Sequence, residues 1–252
     1  MAIYDINGNP VDAGGTASDA TSFVKSVSHR GTTFNGKLRG YINAKTAGFD
    51  CGENDLQFTS DGRVIMRHDA SINGVAINTL TYAEIMQIDS EIPTLEQWLE
   101  CMKCIALYPY IDTKYASATW NLENLQIAVD IVKSFGFSDK CTWLVGRFTE
   151  FDTILQSIPN ARIGLLGLPT ASNITNMLSR RTDENDLFFD SSYESLTTEH
   201  ISACISNNFP LEVYTVASAQ AFETAYAISN YISGFTCNGT VVPSKILKAK
   251  YM

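Results

Sequence analysis

Apolar segments of strand length alternate with segments of helical periodicity along most of this chain of 252 residues. Such alternation is typical of parallel sheets whose strands are joined by helices. The strand candidates are residues 23–28, 49–58, 107–113, 141–146, 162–167, 186–190, 210–216 and 233–237. The helical candidates are residues 37–47, 94–106, 121–135, 149–157, 171–179, 197–207 and 218–231. Eight strands with intervening helices predict an α/β fold, a (β/α)8 TIM barrel. A doubly wound sheet is the alternative, and it requires some of these strand assignments to be wrong.

Two helix boundaries are marked by residue type. The run Pro93-Thr94-Leu95-Glu96 predicts a helix start with Thr94 as the N-cap, because its hydroxyl can accept a hydrogen bond from a free backbone N–H. Gly136 follows a long helical candidate and predicts its C-terminal end, since glycine readily adopts the left-handed conformation found there.

The first 22 residues differ in composition from the rest and are rich in Gly, Asn, Asp, Ser and Thr. Asn7-Gly8 lies between short apolar segments and predicts a small hairpin. The remainder of this arm is loop-like in composition. We therefore divide the chain into an N-terminal extension, residues 1–22, and a barrel domain, residues 23–252.

Charge and hydropathy exclude several classes of partner. The formal net charge of −9 at pH 7 argues against a nucleic-acid-binding surface and against a polybasic membrane anchor. No apolar run approaches the roughly 18 residues of a spanning helix, so no transmembrane segment is predicted. Residues 1–10 lack the basic and apolar regions of a signal peptide, so a cytoplasmic location is expected. The oligomeric state is left open.

The six cysteines are scattered through apolar segments, unlike the disulfide framework of a small secreted domain. Cys101-Met102-Lys103-Cys104 has the spacing of a redox or zinc motif. It falls within a helical candidate, however, and no second pair of cysteines or histidines accompanies it. We therefore expect six free thiols.

The segment from Glu53 to Asp69 carries several side chains capable of chemistry. Glu53 and Asp55 are two residues apart, so on a strand both point to one face, where they repel each other unless a cation or a proton lies between them. Ser60-Asp61-Gly62 predicts a turn that brings His68 back near this pair. A hard divalent metal beside an imidazole suits phosphate chemistry. The alternative interpretation is a surface hairpin with solvated acids and an incidental histidine.

Four motifs follow one another in the first third of the chain. They are His29-Arg30-Gly31, Glu53-Asn54-Asp55, Thr59-Ser60-Asp61-Gly62 and His68-Asp69. In order and type they resemble the motifs of the glycerophosphodiester phosphodiesterase family, part of the phosphatidylinositol-phospholipase-C-like phosphodiesterase superfamily. The resemblance implies a barrel with catalytic groups at the C-terminal ends of the strands.

The resemblance also implies roles for individual residues. His29 and His68 correspond to the general acid and the general base, in an order that the sequence leaves open. Arg30 corresponds to a phosphate-binding residue. Glu53 and Asp55 correspond to ligands of a divalent metal, Mg²⁺ or Ca²⁺.

Two later strand ends extend the resemblance. Where the family has Glu-x-Lys, this chain has Asp112-Thr113-Lys114, so Asp112 is expected to be the third metal ligand and Lys114 a substrate-binding residue. A strand-end ion pair between these two side chains is the alternative. Tyr214 replaces the family's usual tryptophan and is expected to form a ring wall against the substrate; otherwise it is a core aromatic.

Two segments depart from the family pattern. The residues from Thr32 to Lys37 replace the usual Glu-Asn-Thr, and only 24 positions (53 − 29) separate His29 from Glu53, so the first loop is short. Asn238 lies where the family often has an aspartate.

The function implied by the resemblance is metal-dependent hydrolysis of glycerophosphodiesters, releasing glycerol 3-phosphate and an alcohol. Two alternatives remain open on the sequence alone. One is hydrolysis of a glycerol-phosphate polymer such as teichoic acid, which the arm and the short first loop could suit. The other is a non-catalytic binding module that keeps the barrel, which the departures from the pattern leave possible.

Overall fold

A computed structural model of the chain describes residues 3–4, 10–11, 24–32, 35–114, 121–229, 231–239, 241–243 and 245. In chain order its strands are β1 (Ile3–Tyr4), β2 (Pro10–Val11), β3 (Lys25–His29), β4 (Cys51–Phe58), β5 (Val64–Met66), β6 (Ser71–Ile72), β7 (Val75–Ala76), β8 (Tyr108–Asp112), β9 (Thr142–Val145), β10 (Arg162–Leu166), β11 (Asp186–Ser192), β12 (Leu211–Val216) and β13 (Ile232–Cys237).

Eight of these strands form a closed parallel barrel, in the order β3, β4, β8, β9, β10, β11, β12, β13. Closure comes from the parallel pairing of β3 with β13 on one side and with β4 on the other. The (β/α)8 prediction is confirmed. The doubly wound alternative is wrong, because an open sheet would leave two edge strands unpaired whereas here the first and last barrel strands pair with each other.

The short strands lie outside the ring. β1 pairs antiparallel with β2, and Ile3 lies opposite Val11. The predicted hairpin therefore has its two paired segments, although its turn at Asn7-Gly8 lies outside the described residues. The division of the chain at residues 22 and 23 stays a prediction. β5 pairs antiparallel with the end of β4 and carries the chain back over the barrel mouth.

The helices connect the barrel strands and cover the outside of the barrel. They are α1 (Leu38–Ala47), α2 (Tyr82–Ile88), α3 (Leu95–Ile105), α4 (Leu122–Ser134), α5 (Phe148–Ser157), α6 (Ala171–Leu178), α7 (Thr198–Asn207) and α8 (Ala219–Ile228), with 3₁₀ turns at Ile77–Thr79 and Tyr193–Ser195. The predicted helix starting after Thr94 and the end at Gly136 are confirmed: Thr94 and Gln97 form a capping box, and Gly136 has a φ of 73°.

Helix α2 was not predicted from the sequence. It is only seven residues long, too short to show a clear apolar period. Its start nevertheless carries a sequence signal, because Thr81 and Glu84 form a capping box with the spacing that marks helix N-termini. None of the described helices is long and apolar enough to cross a membrane.

The base of the barrel interior is filled by an ion-pair network and apolar side chains. Arg162 Nη2 lies 2.7 Å from Glu212 Oε1, and Lys25 Nζ lies 3.4 Å from the same oxygen. Glu212 packs so closely against β13 that a Cβ at position 234 would lie 2.6 Å from its Cδ, so Gly234 is required there. Above this layer the interior is apolar and includes Phe188.

All six cysteines are free in the structure, as predicted. Cys101 and Cys104 both lie in α3, while the other four are buried. Burial raises the pKa of the Cys51 and Cys204 thiols to about 12, so these groups stay protonated near neutral pH. We therefore infer that the four buried cysteines have a structural role.

We expect a thiol reagent at pH 8 to modify Cys104 quickly in the folded protein, Cys101 more slowly, and the four buried cysteines only after unfolding. The reason is that the reactive thiolate is suppressed by burial and access is blocked. A Cys104→Ser variant should lose the fast phase. Titration in denaturant without reductant should find six thiols, and a count of four would contradict the absence of a disulfide.

Candidate functional site

Strand register brings the predicted polar side chains to one mouth of the barrel. His29, the last residue of β3, pairs with Glu53 of β4. Asp55 of β4 pairs with Asp112, the last residue of β8. Because Glu53 and Asp55 are two residues apart, they share a face of β4. Four side chains from three adjacent strands thus meet at the carboxyl ends of the strands.

The three carboxylates Glu53, Asp55 and Asp112, here called the acidic cluster, converge closely. One carboxylate oxygen from each lies within 4.8 Å of the other two, and all three residues are buried. Burial, and then repulsion from the neighbouring carboxylates, raises the pKa of Glu53 and of Asp112. The interpretation of this segment as solvated surface acids is therefore wrong.

Two cations, Arg30 and Lys114, offset part of the charge of the cluster. Arg30 Nε lies 3.2 Å from Asp55 Oδ2, and Lys114 Nζ lies 2.8 Å from Asp55 Oδ1. Lys114 Nζ also lies 3.0 Å from Asp112 Oδ2, so the strand-end ion pair weighed as an alternative is present. Burial alone would lower the pKa of Lys114, but Asp112 and Asp55 together raise it above its usual value. The two side chains keep 25% and 23% of their surface exposed, which leaves them accessible to a ligand.

Both cations follow a strand end in an unusual backbone conformation. Arg30 and Lys114 each have a φ of 51°, in the left-handed region that residues with side chains rarely adopt. The Arg30 N–H donates to Glu53 Oε2 at 3.1 Å, and the Lys114 N–H donates to Asp112 Oδ1 at 2.8 Å. These hydrogen bonds hold each turn in place and direct both cations toward Asp55.

The acidic cluster fits a hard divalent cation. Mg²⁺ and Ca²⁺ prefer oxygen ligands, and three carboxylates offer them from one buried place. Both Asp55 oxygens are buried and contact Arg30 Nε and Lys114 Nζ, so a metal ion bound here would share or displace these ion-pair contacts. Among the described residues, no other group of three His, Cys, Asp or Glu side chains converges in this way.

His29 lies beside the cluster in a defined orientation. Its Nδ1 is 2.6 Å from Asn238 Oδ1, and its Nε2 is 3.9 Å from Glu53 Oε2. Because an amide oxygen only accepts hydrogen bonds, this contact assigns the proton to Nδ1 and leaves the Nε2 lone pair free. Burial, followed by the charge of Arg30, lowers the pKa of His29 to about 4. The imidazole is therefore neutral at neutral pH.

His68 lies at the rim of the mouth. The N–H of the preceding residue, Arg67, donates to Asp55 O at 2.8 Å, which places this segment next to the end of β4. The His68 ring is 34% exposed, and its Nδ1 lies 2.8 Å from Asp69 Oδ1. The described residues that line the cavity of the site include His29 but not His68. Of the two histidines that the resemblance assigns to acid–base roles, His29 lines this cavity and His68 does not.

A cavity of about 330 Å³ opens above the apolar layer of the barrel. Its lining residues are His29, Arg30, Glu53, Asp112, Lys114, Leu144, Leu166, Asp190, Tyr214, Thr215 and Thr236. Tyr214 lines the wall as expected, and Asp55 is buried next to the lining carboxylates. The third histidine, His200, accepts a hydrogen bond from Thr197 N–H at the start of α7 and takes no part in this site.

Sequence reasoning missed two residues of the site. Asn238 was noted only as a departure from a motif, whereas the structure makes it the hydrogen-bond partner of the His29 ring. Asp190 was not noted at all. It follows the apolar run Leu187-Phe188-Phe189, and a carboxylate directly after a buried strand segment is the signal that could have identified it.

The chain matches one family model among known proteins. The model described as "Glycerophosphoryl diester phosphodiesterase family" matches residues 29–218, more than half of the chain and a range that includes all of the predicted site residues. No curated protein matches the chain.

Solved structures share the fold over most of their length. A glycerophosphodiester phosphodiesterase from Parabacteroides distasonis has a TM-score of 0.76 at 19% identity, covering 91% of this chain and 99% of that chain. A phosphodiesterase from Oleispira antarctica, solved with the product sn-glycerol-3-phosphate, has a TM-score of 0.76 at 16% identity, covering 92% and 98%. A glycerophosphodiester phosphodiesterase from Thermotoga maritima has a TM-score of 0.70 at 18% identity, covering 90% and 98%.

Proposed function

Because this chain belongs to the glycerophosphoryl diester phosphodiesterase family, we propose that it is a metal-dependent hydrolase of glycerophosphodiesters that releases glycerol 3-phosphate and an alcohol. Family membership makes the chain a phosphodiesterase and confirms the resemblance noted in its sequence. The product bound to the O. antarctica phosphodiesterase supports glycerol 3-phosphate as the product here. Neither a polymer substrate nor a non-catalytic module gains support from the comparisons.

One observation carries the proposal: three buried carboxylates converge beside a neutral histidine at the wall of a cavity large enough for a small phosphodiester. Glu53, Asp55 and Asp112 would hold Mg²⁺ or Ca²⁺. When bound, such an ion withdraws negative charge from a phosphodiester oxygen. If these side chains only stabilised the fold as an ion-pair network, equal numbers of acids and cations would suffice. Here three acids face two cations, which leaves negative charge for a metal ion to balance.

Arg30 and Lys114 bind the remaining charge of the phosphate. Both side chains line the cavity and are partly exposed, although each also contacts Asp55. The guanidinium of Arg30 can donate two parallel hydrogen bonds to phosphate oxygens, while Lys114 acts as a point charge. Tyr214 lies on another part of the cavity wall and can contact the organic part of the substrate.

His29 acts first as the general base. Its neutral state and free Nε2 allow it to accept the proton of the attacking hydroxyl, from the substrate's own glycerol or from water. His68, hydrogen-bonded to Asp69 at the rim, donates a proton to the departing alcohol oxygen as the phosphorus–oxygen bond breaks. The rim is where that alcohol leaves toward solvent.

The first prediction concerns the metal. Chelator treatment should abolish hydrolysis of bis(p-nitrophenyl) phosphate, and Mg²⁺ or Ca²⁺ should restore it. The ion should also raise the melting temperature, because it binds the folded state; at 100 times its Kd the stabilisation is about 2.7 kcal/mol. Asp55→Asn should weaken both effects, while Asp130→Asn, exposed on α4, should change neither.

Hydrolysis that persists unchanged in excess chelator would contradict the metal requirement. The products formed from glycerophosphocholine and from a teichoic acid chain should be identified in parallel. Release of glycerol 3-phosphate from the small diester alone is the outcome expected here, and efficient cleavage of the polymer would favour the alternative substrate.

The second prediction concerns the histidines. His29→Ala and His68→Ala should each lower kcat by at least about a hundredfold, the lower bound for acid–base catalysis. Melting temperatures should change little, because neither ring lies in the apolar core. The matched control is His200→Ala, which should keep its turnover. Near-native turnover of both site variants on every phosphodiester tested would refute the mechanism.

The third prediction concerns Asn238 as a positioning residue. Asn238→Leu removes the acceptor for His29 Nδ1–H, so the ring loses its orientation and kcat should fall by roughly tenfold or more. Asn238→Asp keeps an oxygen acceptor and should restore most of the kcat. Equal losses in both variants, with equal losses in melting temperature, would indicate a role in folding alone.

A further inference from the structure

Asp190 is a carboxylate of the cavity wall that the reaction described above does not use. It lies on β11, two residues after Phe188, and therefore shares the interior face of that strand with this apolar side chain. Asp190 is 1% exposed and lines the cavity. In the ring of eight strands, β11 lies four positions from β4 in either direction. Asp190 thus faces the acidic cluster from the opposite wall.

Asp190 Oδ1 is buried and has no hydrogen-bond partner among the described residues. The guanidinium of Arg162 acts on Asp190 electrostatically but forms its ion pairs with Asp186 and Glu212. The other interior acids differ, since Glu212 pairs with Arg162 and Lys25 at the barrel base. A buried polar group of this kind is unfavourable in the folded chain unless a bound molecule supplies its hydrogen bond.

The side chains around Asp190 indicate which kind of chemical group on the bound molecule would form this hydrogen bond. On one side of Asp190 the cavity wall is apolar, with Leu166 paired to it in the neighbouring strand and Leu144 beyond; on the other side Tyr214, Thr215 and Thr236 add hydroxyl groups. Burial, and then the charge of Glu212, raises the pKa of Asp190 well above its usual value. A protonated carboxyl donates one hydrogen bond and accepts others, which matches a neutral hydroxyl.

We propose that Asp190 binds a hydroxyl group of the glycerol moiety, on the wall of the cavity opposite the acidic cluster. This inference rests on the proposed function and specifies the substrate group that the far wall of the cavity recognises. A phosphate held near Arg30 and Lys114 leaves the rest of the cavity, which Asp190 also lines, for its organic substituent. A site built to hydrogen-bond a hydroxyl discriminates against analogues that lack it.

The test compares two ligands that differ only in their hydroxyl groups. Binding of sn-glycerol 3-phosphate and of propyl phosphate is measured by calorimetry, with Mg²⁺ present, and the ratio of their affinities is taken so that phosphate and metal contributions cancel. The wild type should prefer sn-glycerol 3-phosphate. Asp190→Leu should reduce this preference by about tenfold, equal to about 1.4 kcal/mol. Asp190→Asn should keep most of the preference, because an amide also donates and accepts.

Folding controls separate recognition from structure. Asp190→Leu should leave the melting temperature unchanged or raise it, since it removes a buried unpaired carboxyl. Asp130→Leu, which removes an exposed carboxylate on α4, should keep the ligand preference. A lower melting temperature together with equal losses in affinity for both ligands would overturn the proposal in favour of a structural role.

Other results would also overturn it. The wild type could show no preference for sn-glycerol 3-phosphate, or the Asp190→Leu variant could keep the preference. Either result would mean that the carboxyl does not bind a hydroxyl group of the ligand. A selective loss of affinity for phosphoethanolamine in Asp190→Leu would make Asp190 an ammonium site instead.

The two proposals fail separately. If no phosphodiester is hydrolysed but the ligand preference depends on Asp190, the catalytic proposal fails and the recognition of glycerol stands. If hydrolysis depends on the metal as expected but the ligand preference is unchanged when Asp190 is replaced, only the present inference fails.

Discussion

The balance of charge inside the barrel is the constraint on which the rest of this structure depends. Carboxylates on β4, β8, β11 and β12 point into an interior where water is scarce and an unpaired charge is strongly disfavoured. Each must find a cation, keep its proton, or bind an ion or ligand from outside. The carboxylates are neutralised differently at the two ends of the barrel. This difference distinguishes the base, which supports the fold, from the mouth, which we propose performs the chemistry.

At the base the charges are paired. Burial alone would raise the pKa of Glu212, but Arg162 and Lys25 lower it below its usual value, so the carboxylate stays ionised and held. At the mouth, the positive charges do not fully offset those of the carboxylates. The pKa of Glu53 and that of Asp112 are raised despite Arg30 and Lys114, because three acids share one buried place. Incomplete compensation of this kind is typical of sites that bind a cation or move a proton.

The departures from the family motifs are accommodated within this arrangement. Asp112, one carbon shorter than the usual glutamate, still brings an oxygen within 4.8 Å of the other two acids. Asn238 replaces an acid but still accepts a hydrogen bond from His29, without adding another negative charge to the mouth. In the short first loop, Gly36 N–H donates to Arg30 O at 2.8 Å, which holds the residues after β3 close to the strand end.

The sequence by itself determined the eight strands, most of the helices and the shared face of Glu53 and Asp55, because these depend on local pattern; Asp112 was assigned through the family resemblance. Apolar segments of fixed length define the strands, and the two-residue spacing of Glu53 and Asp55 places both on one face. Only the tertiary structure decided three features: the partner of His29, which lies 209 residues away along the chain, the unpaired Oδ1 of Asp190, and the position of His68 at the rim. These features depend on the closure of β3 against β13 and on the register between strands distant in sequence, which no local pattern encodes.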